Sequence, residues 1–134
     1  MQALVQRNLA QARQLLGFIV TGLEGGKDPR GLDANRLQAQ IDLFERGLNE
    51  LQSRVRDGDG TVSEATLGTG GAIRIKAYLD NAGQFLTISR YLLRQIRARQ
   101  APDSLYFSFR TGYENDVLSR FNNLVGSANL LSSV

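Results

Sequence analysis

The feature that most constrains this chain is a spacing of three or four residues between apolar side chains, repeated in four separate segments. This spacing places the side chains on one face of an α-helix, and its mean of about 3.5 residues is typical of helices that pack side by side. The four segments span residues 2–23, 33–56, 72–99 and 103–131. Their repeating positions are Val5, Leu9, Ala12, Leu16, Ile19 and Leu23; Leu37, Ile41, Phe44, Leu48, Leu51 and Val55; Ile75, Leu79, Ala82, Leu86, Ser89, Leu93 and Ile96; and Val117, Phe121, Leu124, Ala128 and Leu131. We therefore predict an all-α fold.

The breaks between the segments carry the residues that end and start helices. Asp33 is placed to cap the second helix, and Pro102 cannot continue the third. Residues 57–71 contain five glycines and are predicted to form the longest connection. We predict one domain, residues 1–134, folded as an antiparallel up-down-up-down four-helix bundle. Four antiparallel helices bring both termini to one end, which suits a domain inserted between two membrane helices.

Composition excludes several classes of function. The chain has no Cys and no His, which rules out disulfides, Cys or His metal ligands, Cys nucleophiles and Ser-His triads. Its carboxylates form no acid–base pair with a defined partner, so we predict that it is not an enzyme and needs no cofactor. The net charge of +3 is small and mixed along the chain, which argues against a nucleic-acid partner.

The stretch DGDGTVSEAT, residues 57–66, resembles the middle of a calcium-binding EF-hand loop. With Asp57 at loop position 3, Asp59, Gly60 and Ser63 fall at positions 5, 6 and 9. The two ends do not fit, because Val55 falls at position 1 and Thr66 at position 12, where carboxylates are needed. We predict a turn that ends the second helix, and no metal site.

The first helix has a second face whose residues indicate contact with a partner. Opposite its core stripe, a helical wheel groups Arg7, Gln11, Gln14 and Phe18. A solvated face should not also carry apolar residues such as Leu4 and Leu15. In a symmetric homodimer this face would meet its own copy, and an anion between the two Arg7 side chains would relieve their repulsion. The predicted dimer interface comprises Leu4, Arg7, Gln11, Gln14, Leu15 and Phe18, with Arg7 and Gln11 as ligand contacts. The alternative is a surface Arg with a neighbouring Gln.

The segment QRNLAQ, residues 6–11, resembles the centre of the PilJ/NarX-type sensor motif, Ala-Gly followed closely by Gln-Arg-Met-Leu-Ser-Gln-Arg. The matching residues are Ala3, Gln6, Arg7, Leu9 and Gln11. The departures are Leu4, Val5, Asn8, Ala10 and Ala12. The second helix is similar too, since IDLFERGLNEL resembles the family pattern Ile/Leu-x-x-Phe-x-x-x-Leu, and the likeness extends over most of the chain. Family members are periplasmic four-helix sensor domains of chemoreceptors and histidine kinases. The nitrate sensors among them bind the anion between the first helices of a dimer.

The resemblance implies an extracytoplasmic ligand-sensing domain of a transmembrane receptor, acting in chemotaxis or two-component signal transduction. The ligand would be an anion such as nitrate, or a different small molecule, held by Arg7 at a homodimer interface. The localisation implied is the periplasmic part of an inner-membrane protein, with membrane helices flanking this segment. The alternative is a soluble helical adaptor or secretion chaperone that grips a partner helix.

Overall fold

The computed structural model of the chain describes residues 2–24, 33–98 and 114–132. Four α-helices account for nearly all of these residues, and the all-α prediction is confirmed. The helices are α1 (Gln2–Glu24), α2 (Ala34–Val55), α3 (Glu64–Arg97) and α4 (Glu114–Ser132). In the described ranges the only β-type pairing is an isolated bridge between Arg56 and Val62. The predicted first turns of the fourth helix, residues 103–113, lie outside the described residues.

Each helix packs against two others. Helix α1 contacts α2 and α4, and α3 contacts the same two helices. The predicted core positions on α2, α3 and α4 are all buried. Helix α3 also buries Tyr78, Phe85, Ile88 and Leu92, so its buried face is wider than the predicted stripe. The Phe85 ring packs edge-on against Phe44 of α2, with centroids 5.5 Å apart.

Helix α2 begins as its sequence predicts. The Asp33 carboxylate accepts hydrogen bonds from the backbone N–H groups of Asn35 and Arg36, at 2.9 and 3.3 Å. These N–H groups belong to the first turn of the helix and have no partner within it. The predicted N-cap is confirmed, and it sets the start of the helix that carries Phe44 and Glu50.

Helix α3 begins earlier than predicted, at Glu64 instead of Ala72. Ser63 caps it, since its hydroxyl accepts a 3.2 Å hydrogen bond from the Thr66 N–H. The predicted connection over residues 57–71 is therefore wrong beyond Ser63. Three of the five glycines that suggested a loop, Gly68, Gly70 and Gly71, lie within the helix, which is kinked at Gly68 (φ 75°, ψ 165°). One non-helical glycine interrupts the first turns without ending the helix.

None of the described helices is long and apolar enough to cross a membrane.

Candidate functional site

The buried face of α1 differs from the predicted one. Leu15 is fully buried, with 0% of its surface exposed, whereas Leu16 is only partly buried. Asn8, a polar residue, is buried as well. At 100° per residue these changes turn the buried face by roughly 30° about the helix axis. The side chain of Leu23, the last predicted core position of this helix, lies outside the described residues.

Asn8 is buried because its side chain is satisfied inside the bundle. Its Oδ1 accepts a 2.7 Å hydrogen bond from the Tyr78 hydroxyl of α3. Its Nδ2 donates to the Phe44 carbonyl of α2 at 3.1 Å and, more weakly, to Gln11 Oε1 at 3.4 Å. A buried polar group costs little when it is hydrogen-bonded, so α1 can turn Asn8 inward and Leu15 with it. Burial also raises the pKa of the Tyr78 hydroxyl well above its usual range, which keeps it a donor.

Gln11 belongs to this network and turns toward α2. A Cβ atom added at Gly47 would lie 2.0 Å from Gln11 Oε1, so the side-chain amide occupies the space that Gly47 leaves open. Asn8 Nδ2 lies 3.1 Å from the same position. Gln11 was predicted as a ligand contact on an outward face. Its oxygen instead accepts from Asn8, half-buried between α1 and α2.

The apolar part of the predicted dimer interface lies largely inside the bundle. Leu15 cannot meet a second copy because it is fully buried, so that part of the prediction is wrong. Leu4 and Phe18 are partly buried and pack against the core of their own chain. Their apolar character is therefore explained by packing within one chain.

Six exposed positions do form a continuous surface along α1, which we call the α1 seam. It consists of Ala3, Arg7, Ala10, Gln14, Gly17 and Thr21. The spacing alternates between four and three residues, as in helices that pack against a second helix. Arg7 and Gln14 were predicted on this face, whereas Ala3, Ala10, Gly17 and Thr21 were missed. The signal that would have found them is a small residue at every seventh position, opposite the buried face.

Among the described residues nothing packs against Gly17, since a Cβ added there would meet no atom of theirs within 4 Å. Glycine within a helix costs about 1 kcal/mol relative to alanine. Close contact with another backbone is one reason for a helix to carry glycine at a surface position.

Arg7 is the one cation of the α1 seam, and it pairs loosely with Glu50 of α2. The distance from Arg7 Nη1 to Glu50 Oε2 is 3.8 Å, and both side chains are well exposed, at 61% and 46%. An exposed ion pair of this kind contributes about 0–1 kcal/mol. An anionic ligand could therefore displace the Glu50 carboxylate at little cost.

The turn between α2 and α3 is held by its own hydrogen bonds, and the predicted turn is confirmed over residues 57–63. Thr61 donates to the Asp59 carboxylate through its backbone N–H (3.0 Å) and its hydroxyl (2.7 Å). The hydroxyl hydrogen bond, followed by the backbone one, lowers the pKa of Asp59. The Asp57 N–H donates to the Thr61 carbonyl at 2.8 Å. Among the described residues, no group of three Asp or Glu side chains is placed to hold a metal ion.

Over the described residues, the fold and the site define an all-α protein of four helices whose first helix exposes a seam of small residues around one arginine. Comparison of the chain with models of protein families, with curated proteins and with solved structures found no match in any of the three. The PilJ/NarX-type assignment therefore stays a prediction, and the function is argued below from the geometry.

Proposed function

We propose that this chain is the extracytoplasmic ligand-sensing domain of a transmembrane receptor, a chemoreceptor or a sensor histidine kinase, and that it works as a homodimer. Within each subunit the helices form an antiparallel up-down-up-down bundle. Contacts near the helix ends support this arrangement. The Gln2 amide donates to the Leu131 carbonyl at 3.0 Å, and Arg97 donates to Gln38 Oε1 at 3.1 Å. The start of α1 thus lies beside the end of α4, where both could continue toward a membrane.

The observation that carries the proposal is the α1 seam. In a two-fold dimer, a seam meets its own copy, and Ala3, Ala10 and Gly17 would allow the two helix backbones to come close. A partner there would also account for Gly17, against which none of the described residues packs. The same contact would bring the two Arg7 side chains together across the axis.

The ligand we propose is a small anion, such as nitrate, held between the two Arg7 guanidinium groups. Charge-assisted hydrogen bonds from two arginines would outweigh the loose pairs with Glu50. The anion would favour the arrangement in which the two α1 helices are closest, because only there can both arginines reach it. A change in the placement of α1 relative to α4 would carry the signal toward the membrane.

The dimer is tested by sedimentation velocity over a range of protein concentrations. We expect the wild-type chain to form a dimer and Gly17→Leu to remain monomeric, because a large side chain in the seam holds the helices apart. Gly126→Leu is the matched control, since Gly126 is also an exposed helical glycine with open space around it. Circular dichroism checks that both variants stay helical. A dimer that persists in Gly17→Leu would overturn this interface.

The anion site is tested by the melting temperature with and without sodium nitrate, with sodium chloride at equal ionic strength as the reference. We expect nitrate to stabilise the wild type and to leave Arg7→Ala unchanged. Arg13→Ala removes an arginine from α1 outside the seam and should respond like wild type. Glu50→Gln removes the competing carboxylate, so its response should be larger than that of wild type. Equal responses in wild type and Arg7→Ala would rule out the site.

A second function, a helical adaptor or secretion chaperone, is favoured by two exposed apolar side chains. Ile73 on α3 and Leu130 on α4 are more than half exposed. Exposed apolar side chains on a helical surface can pack against the apolar face of a partner helix. The sequence of the full-length gene product would distinguish the two proposed functions. A receptor should carry apolar segments of about 20 residues on both sides of this domain.

A further inference from the structure

A surface pocket of about 460 Å³ lies where the α2–α3 connection folds back against α3. The connection contributes residues between Arg56 and Val62, and α3 contributes residues between Glu64 and Asp80. Its volume falls within the range of roughly 300–1,000 Å³ that is usual for small-molecule sites. Among the described residues, none of those lining the pocket lies on α1, so the inference does not rest on the function proposed above.

The wall formed by the connection is fixed before any ligand arrives. The Ser63 N–H donates to the Val55 carbonyl and the Gly60 N–H to the Asp57 carbonyl, at 2.8 and 2.9 Å. Arg56 spans the turn, with its Nη1 donating to the Gly60 carbonyl at 2.6 Å. A preformed wall lowers the entropy cost of binding.

Charged groups of both signs line the pocket. Lys76 and Asp80 lie one turn apart on α3, and Glu64 and Arg56 lie near its opening turn. Within the described part of the chain, Glu64, Lys76 and Asp80 take part in no ion pair or side-chain hydrogen bond. An ammonium and a carboxylate are therefore both available in one small site.

The rest of the pocket is aliphatic. Val62, Ala72, Ile73 and Leu79 line it, and Ile73 is 65% exposed. An exposed isoleucine beside Lys76 and Asp80, which have no partner among the described residues, is what a ligand with an apolar body and a charged head would cover.

We propose that this pocket binds a small zwitterion with an aliphatic side chain, in the class of free branched-chain α-amino acids. The ligand carboxylate pairs with Lys76, its ammonium group pairs with Asp80, and its side chain lies on Ile73. A simple anion or a simple amine would satisfy only one of the two charges. The zwitterion satisfies both and adds apolar contact.

The proposal is tested by isothermal titration calorimetry of the whole chain with L-leucine. We expect binding that weakens by about tenfold or more with 4-methylpentanoate, which lacks the ammonium group, and with 3-methylbutylamine, which lacks the carboxylate. Lys76→Gln and Asp80→Asn should each weaken leucine binding by a similar factor. Arg74→Gln and Asp116→Asn make the same charge changes outside the pocket and should bind leucine as wild type does.

Amide NMR spectra locate the ligand independently. Leucine should shift the resonances of Gly60, Thr61 and Ile73, which line the pocket, and leave those of α1 unchanged. Three outcomes would overturn the proposal. The first is that leucine, isoleucine and valine do not bind at millimolar concentration. The second is that Lys76→Gln and Asp80→Asn both bind leucine as tightly as wild type does. The third is that leucine shifts amide resonances only in other parts of the chain.

Discussion

The Tyr78 hydroxyl donates a 2.7 Å hydrogen bond to Asn8 Oδ1, joining two helices through residues 70 positions apart in the chain. Both side chains are buried, and the Asn8 amide also reaches the Phe44 carbonyl of α2. Three of the four described helices therefore meet at one asparagine. A buried polar network that is fully paired favours a single arrangement of its helices, since any rotation of α1 would leave its groups without partners.

Tyr78→Phe should destabilise the protein by about 1–3 kcal/mol, because it leaves Asn8 Oδ1 buried without a donor. Urea unfolding followed by circular dichroism measures the change. Tyr91→Phe is the matched control. Tyr91 lies at the surface of the same helix, where water can replace any hydrogen bond that its hydroxyl makes, so its change should stay within about 0.5 kcal/mol. Equal effects of the two substitutions would show that the Tyr78–Asn8 bond contributes no net stability.

The buried Tyr78 hydroxyl should also make stability depend on pH in the alkaline range. Its pKa is raised in the folded chain by burial, above the usual value of 10.0 that it regains on unfolding. The unfolded state therefore loses this proton first, and the stabilisation present below pH 10 is lost as pH rises beyond it. Between pH 9 and 11 we expect wild type to lose about 1.4 kcal/mol more stability than Tyr78→Phe. Parallel pH profiles of the two proteins would contradict the assignment.

Much of the fold could be predicted because the spacing of apolar residues within each segment is enough to identify a helix and its buried face. On α2, α3 and α4 every predicted core position is buried, and the Asp33 cap forms as expected. The errors on α1 have a different origin. Whether Asn8 faces inward depends on Tyr78 and Phe44, which belong to other helices. The sequence around Asn8 gives no indication of these contacts.

The candidate site was predicted only in part for the same reason. Arg7 and Gln14 are exposed as expected, but turning Asn8 inward buries Leu15 and moves Gly17 closer to the centre of the outward face. The pocket beside Lys76 was missed because the glycines in the first turns of α3 predict a loop there. The Ser63 hydroxyl and the kink at Gly68 allow the helix to begin within a glycine-rich segment.

Gly47 and Gln11 should be energetically coupled. Alanine at Gly47 gains helix propensity, but its Cβ displaces the Gln11 amide and crowds Asn8 Nδ2. We expect Gly47→Ala to gain less stability in wild type than in the Gln11→Ala background, with a coupling of about 0.5–1.5 kcal/mol. Urea unfolding of the four proteins of this cycle gives the value. If the changes in the free energy of unfolding were fully additive, the Gln11 side chain would be able to leave the network without any loss of stability.

Gly68→Ala should destabilise the protein by about 1–3 kcal/mol. The φ of 75° and ψ of 165° at Gly68 belong to a region that is nearly exclusive to glycine, so a Cβ atom is strained there even though the surrounding space is open. Gly70→Ala is the matched control two residues later. Gly70 has an ordinary negative φ, and its added Cβ would meet only the end of the Arg74 side chain, at 3.8 Å.

The control should gain about 0.5–1 kcal/mol from helix propensity, so the two alanine substitutions are expected to act with opposite sign. Thermal unfolding followed by circular dichroism distinguishes them in one experiment. If Gly68→Ala were as stable as Gly70→Ala, α3 would run straight through this position. The pocket beside Lys76 would then differ in shape, because Glu64 precedes the kink and Lys76 follows it. The leucine titration repeated on Gly68→Ala would show whether the kink is needed for binding.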